Sequence, residues 1–229
     1  MANVIAIDGP SGAGKSSVSR IVGGRLGYLH VDSGALYRIM TWQCLGRGVD
    51  TSDPAAVAAA AAAVRVECRP EGGEIAFYVD GERPGNRIRT PEINEHASSV
   101  AKVPEVRARI TDILRGMAGC GNLVVEGRDI TTVVFPDSPA RFYLTASAEA
   151  RARRRQLEEV EKGIANQSAE AVKASLLARD RVDSTRACAP LRKADGALEI
   201  DSSDMTLEQV VEAVLSALPP QWRQAAKAC

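Results

Sequence analysis

The feature that most constrains this chain is a short apolar run that stops at a glycine-rich loop. Val4-Ile5-Ala6-Ile7-Asp8 is continuous, apolar until its last residue and contains β-branched side chains, which is how a strand buried on both faces reads. Gly9-Pro10-Ser11-Gly12-Ala13-Gly14-Lys15-Ser16 follows directly and fits the spacing Gly-x-x-x-x-Gly-Lys-Ser. Val18, Ile21, Val22 and Leu26 then recur at helical spacing, and Gly27 supplies a stop, so a helix is expected over 17–26. Strand, glycine loop and helix in this order make a phosphate cradle. Glycines let successive N–H groups point into one concavity, the helix N-terminus favours negative charge, Lys15 reaches the β- and γ-phosphates, and the Ser16 hydroxyl ligates magnesium. These residues, with Ser17, are the candidate ATP site.

The alternation of strand and helix continues. Residues 28–31 read as a second strand, and Asp32-Ser33-Gly34 as a turn capping a helix from Ala35 toward Leu45. Asp53 and Pro54 open an alanine-rich helix that runs to about Val64. The pattern then changes. Residues 64–68, 75–79 and a short piece near Glu82 are strand-like and separated by Gly72-Gly73 and Asp80-Gly81, which predicts a small antiparallel insertion. Helices are expected over 91–101 and 104–117, then strands at 123–126, 141–145 and 198–201. Thr206-Leu207-Glu208-Gln209 is a capping box for a last helix, and the tail from Pro219 is expected to fray. The expectation is an α/β fold with a five-stranded parallel sheet flanked by helices, its ligands at the carboxyl ends of the strands.

Composition removes several function classes. Basic and acidic residues number 29 each, so no general attraction to nucleic acid or membrane is implied. No apolar run approaches the roughly 20 residues of a membrane span, and Met1-Ala2-Asn3 leads straight into the first strand without a basic leader, so a cytoplasmic protein is expected. Five scattered cysteines without a Cys-x-x-Cys pair suggest reduced thiols, and His30 and His96 stand at no metal-ligand spacing. A monomer is the expectation, because no long apolar stripe asks for a partner.

The glycine loop leaves open where the phosphoryl group goes. Asp32-Ser33-Gly34-Ala35-Leu36-Tyr37-Arg38 and Glu126-Gly127-Arg128-Asp129 each follow a predicted strand, which puts their polar groups at the loop's edge of the sheet. Arg128-Asp129 offers a phosphate fork beside a hydrogen-bond acceptor, and the Asn-Lys-x-Asp guanine reader of a GTPase switch is missing from the sequence. Arg151, Arg153, Arg154 and Arg155 open a helix, and Arg179, Arg181 and Arg186 follow in Arg179-Asp180-Arg181-Val182-Asp183-Ser184-Thr185-Arg186. Phosphate clamping by a mobile lid explains that density better than a solvated helix face or a nucleic-acid patch, given the interspersed acids and missing aromatics.

Taken in order, the glycine loop, Asp-Ser-Gly-Ala-Leu-Tyr-Arg, Glu-Gly-Arg-Asp, Thr132-Val133-Val134-Phe135-Pro136 and Asp183-Ser-Thr-Arg-Ala-Cys-Ala-Pro-Leu191 resemble bacterial cytidylate kinases from Val4 to about Leu215. The resemblance implies a P-loop nucleoside monophosphate kinase fold in one domain: a core of 1–37, 103–148 and 186–229, an acceptor-binding module at 38–102 holding the insertion at 64–90, and a helical lid at 149–167. It implies ATP, magnesium and the acceptors CMP or dCMP. Arg38, Arg128 and Arg186 would take the acceptor phosphate or nearby base edge, Ser33, Arg107 and Asp129 the cytosine, and Ser98, Arg179 and Asp183 the sugar. Lys15, Arg128, Arg154 and Arg186 would stabilise transferred charge, Arg154 and Arg155 would contact ATP, and Arg89 is a secondary acceptor-side residue. Where the family usually has glycine after Gly-Arg-Asp-Ile, Thr131 stands here, which bears on the local backbone. The alternatives are a kinase of UMP or AMP, which should lack the Asp-Ser-Gly and Gly-Arg-Asp pairings, and a P-loop regulatory ATPase.

Overall fold

The computed structural model describes residues 2–161 and 168–223. In chain order these form β1 (Val4–Asp8), α1 (Lys15–Leu26), β2 (Leu29–Asp32), α2 (Ser33–Gly46), α3 (Pro54–Ala62), β3 (Val66–Glu71) and β4 (Glu74–Val79). Next come α4 (Pro91–Val100), α5 (Pro104–Gly116), β5 (Leu123–Gly127), β6 (Ala140–Thr145), α6 (Ala148–Glu161), α7 (Ala169–Thr185), β7 (Leu198–Asp201), α8 (Leu207–Ala217) and α9 (Pro220–Arg223). Local chemistry sets many of the starts. Asp53 accepts from the N–H groups of Ala55 and Ala56 ahead of Pro54, Thr90 caps α4 ahead of Pro91, and both bonds of the Thr206–Gln209 capping box are made.

One sheet runs β3-β4-β2-β5-β1-β6-β7. The five expected strands are parallel neighbours in the order β2-β5-β1-β6-β7. The antiparallel insertion is present but continues this sheet to seven strands: β3 and β4 pair over 66–79, and β4 meets β2 at His30 and Glu74. It satisfies backbone groups that the edge of β2 would otherwise leave open, with the His30 N–H donating to the Gly73 carbonyl at 2.9 Å. The piece near Glu82 is a single bridge to Val79.

All five residues of β1 are buried, and its four apolar residues alternate between two cores. Val4 and Ala6 face α2, α3 and α5 through Leu36, Ile39, Val57 and Ile110, while Ile5 and Ile7 face α1 and α8 through Val18, Val22, Val210 and Val214. Each valine, leucine or isoleucine side chain buried in this way contributes about 1.5–3 kcal/mol. The expectation of a frayed tail fails at its start: α9 buries Trp222, whose ring lies 6.5 Å from that of Tyr28. Residues 224–229 lie outside the described residues, as does 162–167 of the expected lid; its first part is α6, which packs on α7 through Ala152, Val172 and Leu176. Because β1 lies between β5 and β6, the chain leaves the sheet in opposite directions on either side of it, and the carboxyl ends around that switch point frame a cleft.

Candidate active site

The glycine loop leaves β1 under tight steric limits. Gly9 has φ of 151° and lies so close to β6 that an added Cβ would sit 1.9 Å from the Leu144 carbonyl oxygen. Gly12 has φ of 77°, and its Cβ would lie 3.2 Å from that of Arg151. No side chain caps α1, whose preceding residue is Gly14, so N–H groups of its first turn are available to a ligand. Lys15 is buried and its Nζ donates to the Pro10 carbonyl at 2.7 Å. Burial, and then repulsion by Arg128, pulls its pKa from 10.5 down to about 7, against the attraction of Glu126, Asp8 and Asp183. Ser16 and Ser17 are exposed on the same first turn.

The acceptor-side residues gather at the ends of β2 and β5. Ser33 Oγ donates to the Glu126 carbonyl at 2.7 Å, while Glu126 Oε1 lies 3.3 Å from His30 Nε2 inside the sheet. Asp32 caps α2 through the Ala35 N–H and accepts from Arg38 at 2.7 Å and Arg89 at 3.2 Å. Burial opposes its ionisation, but those two guanidinium groups overcome this and hold the carboxyl below its ordinary range. Arg107, on α5, is held through both terminal nitrogens: it donates to Asp129 at 2.5 Å and to the Ala101 carbonyl at 3.0 Å, and stands 5.1 Å from the centre of the Tyr37 ring. Arg107 and Asp129 are both buried.

α7 brings the last acids and cations. Arg128 Nε donates to Asp183 at 3.0 Å, and Arg186 approaches the other oxygen of Asp183 at 3.6 Å while bonding the Ala189 carbonyl. Arg179 has no hydrogen bond or ion pair among the described residues. Burial, and then repulsion from Arg128 with smaller parts from Arg38 and Arg155, lowers its pKa to about 10. Lys15, Arg128 and Arg179 therefore form a run of like charges joining the loop to Asp183, an arrangement that favours bound anions. Ser98 is set apart from these contacts, half-buried on α4 with no side-chain hydrogen bond among the described residues.

α6 meets the loop from the other side. Arg151 donates to the Ser11 carbonyl at 3.1 Å and pairs with Asp180, which also accepts from the Ser11 N–H at 3.3 Å. One loop residue is thus clasped by both helices. Arg154 donates to the Ser202 hydroxyl at 3.0 Å and carbonyl at 2.5 Å, at the wall of a cavity of about 270 Å³ lined by Ala13, Gly14, Ser17, Leu157, Met205 and Leu207. A largely apolar slot beside a phosphate loop suits a nucleotide base. Arg154 thus lies on the loop's outer side, bonded away from Asp183, while Arg155 lies nearer to Arg179 and also pairs with Glu158.

A cationic run beside the glycine loop on one side and a buried arginine–carboxylate pair on the other suit a cleft that takes anionic ligands. The family model for cytidylate kinase matches residues 5–219. The chain belongs to the cytidylate kinase family. It is 47% identical over 212 residues to a cytidylate kinase of Mycolicibacterium paratuberculosis, covering 91% of this chain and 92% of that protein. It is 44% identical over 215 residues to a cytidylate kinase of Streptomyces avermitilis, covering 93% and 91%. In fold alone it is similar to the solved structure of a protein of Eubacterium ventriosum, with a TM-score of 0.50 at 13% identity over 94% of this chain and 97% of that one.

The structure adds contacts in this cytidylate kinase cleft that the motifs did not disclose. Asp32 ties Arg38 to Arg89, and the Arg151–Asp180 pair holds Ser11. Asp8 accepts from the N–H groups of Ile130 and Thr131. A signal existed for Asp8 and Asp180: the first is an acid ending an apolar strand, the second an acid between two arginines. Thr131 is not among the residues with positive φ, so a side chain at this position strains nothing. It stands in a single wide helical turn, 130–134, whose carbonyls at Val133 and Val134 are held by Arg115.

Proposed function

We propose that this chain transfers the γ-phosphoryl group of ATP to CMP or dCMP, giving ADP and CDP or dCDP. The observation that carries the acceptor assignment is the buried Asp129–Arg107 pair at 2.5 Å. Arg107 fixes the carboxylate, which accepts from the exocyclic amine of cytosine; uracil has an oxygen there and would leave a buried charge unpaired. Ser33 reads the base from the end of β2. Arg38, Arg128 and Arg186 hold the acceptor phosphate, with Arg89 supporting that side through Asp32, while Ser98, Arg179 and Asp183 take the sugar. Gly9 to Ser17 hold the ATP phosphates, with Arg154 and Arg155 above them. Lys15, Arg128, Arg154 and Arg186 stabilise charge as the phosphoryl group passes in line between two oxygens, without a covalent enzyme intermediate.

The donor set fits magnesium held chiefly by phosphates and water. Ser16 offers one hydroxyl at the first turn of α1, and among the described residues no group of three acids, histidines or cysteines forms a metal cage. Bound there, magnesium would neutralise charge on the β- and γ-phosphates. Residues 149–167 act as the lid and 38–102 as the acceptor-binding module, and their closure excludes water that would compete as nucleophile.

Asp129→Asn tests the base reading. The amide can present a donor as well as an acceptor, so the preference for CMP over UMP should fall by about a hundredfold in kcat/KM. An unchanged preference would remove Asp129 from the assignment.

A further inference from the structure

Asp8 at the end of β1 and Thr131 after β5 are both completely shielded from solvent. Asp8 Oδ1 accepts from the Ile130 N–H at 2.9 Å, and Oδ2 accepts from Thr131 twice, from its N–H at 2.7 Å and its hydroxyl at 2.6 Å. Burial, the largest influence, raises the Asp8 carboxyl from 3.8 to about 6 in spite of these three bonds. At neutral pH the chain therefore keeps a desolvated carboxylate at this point, and its donors all belong to one loop.

That loop carries the acceptor reader. Asp129 directly precedes Ile130, and its carbonyl accepts from the N–H groups of Val133 and Val134 at 2.9 and 3.2 Å, so the backbone after Asp129 is fixed by the same turn. Its side chain is fixed from α5 by Arg107, and the preceding residue, Arg128, is tied to Asp183 on α7. Asp8 is the one contact in this set that comes from β1, the strand that also launches the glycine loop. Two N–H bonds alone would hold Asp8 as any loop acceptor does. The Thr131 hydroxyl adds a third bond, to the oxygen that already serves the Thr131 N–H, and so fixes the plane of the carboxylate against the turn.

We propose that Asp8 and the Thr131 hydroxyl form a positioning clamp that sets the direction of the Asp129 carboxylate, and through it the enzyme's preference among pyrimidine acceptors. Neither residue is assigned a contact with substrate; both act through Asp129. The clamp rests on the reading of Asp129 as the cytosine reader.

The test is steady-state kinetics of Thr131→Val, which keeps the backbone bond and shape of the side chain and removes the hydroxyl. The clamp predicts KM for CMP raised about tenfold and the CMP-over-UMP ratio lowered about tenfold, with kcat and KM for ATP within about twofold. Thr131→Ser, which keeps the hydroxyl, should restore both. If Thr131→Val does not fold, Thr131→Ala carries the same expectation, and failure of both to fold would overturn the proposal in favour of a purely structural hydroxyl. Unchanged CMP parameters, or equal losses for ATP and CMP not rescued by serine, would also overturn it. Wild-type protein in the same assay separates the two readings, because absence of CMP turnover there defeats the cytidylate kinase function itself.

Discussion

At the scale of single residues, the site is a contest between burial and charge. Lys15 loses to burial, with a pKa of about 7, whereas Asp32 keeps its charge because Arg38 and Arg89 stand on it. The sign of the consequence for Lys15 is fixed. Free protein above pH 7 holds a mostly neutral lysine, phosphate oxygens favour the ammonium form, and ATP binding must therefore draw in a proton. Calorimetry at pH 7.5 in buffers of different ionisation enthalpy should show uptake of roughly half a proton or more per ATP bound, and Lys15→Met should abolish it. Buffer-independent heats for the wild type would contradict the depressed pKa.

At the scale of elements, α6 and α7 act on the loop as a pair. Asp180 accepts from both the Ser11 N–H and Arg151, so it connects the position of the helices to the shape of the phosphate loop. Asp180→Ala should raise KM for ATP about tenfold by leaving Arg151 and Ser11 without this partner, with KM for CMP within about threefold. Equal effects on both substrates in steady-state assays would show that the contact governs the cleft as a whole. Such element-to-element contacts were the least legible part of the sequence. The glycine loop, the strand periodicities and the proline-marked helix starts could be read because their causes are local: φ restrictions, caps and side-chain alternation. The bond from Asp180 to Ser11 spans 169 positions, and no local pattern encodes it. The wide turn at 130–134 was hidden for a different reason, since its bond spacing matches neither the helical nor the strand period.

At the scale of the molecule, the fold places two half-sites on one edge of one sheet. β1 launches the donor loop, its neighbour β5 and the next strand β2 end in the Asp129 and Ser33 segments, and its other neighbour β6 leads to the arginine helix on the far side. The motifs disclosed this arrangement because each follows a strand, and parallel strands present their carboxyl ends together. They disclosed less about the insertion, whose turn signals mark a hairpin but not which strand edge it covers. The central claim is that the second half-site selects cytosine. It is tested most directly by measuring phosphorylation of CMP, dCMP, UMP and AMP by wild-type protein with ATP and magnesium. CMP and dCMP should be turned over with kcat/KM at least about a hundredfold above UMP and AMP; equal rates for all four acceptors would contradict the account.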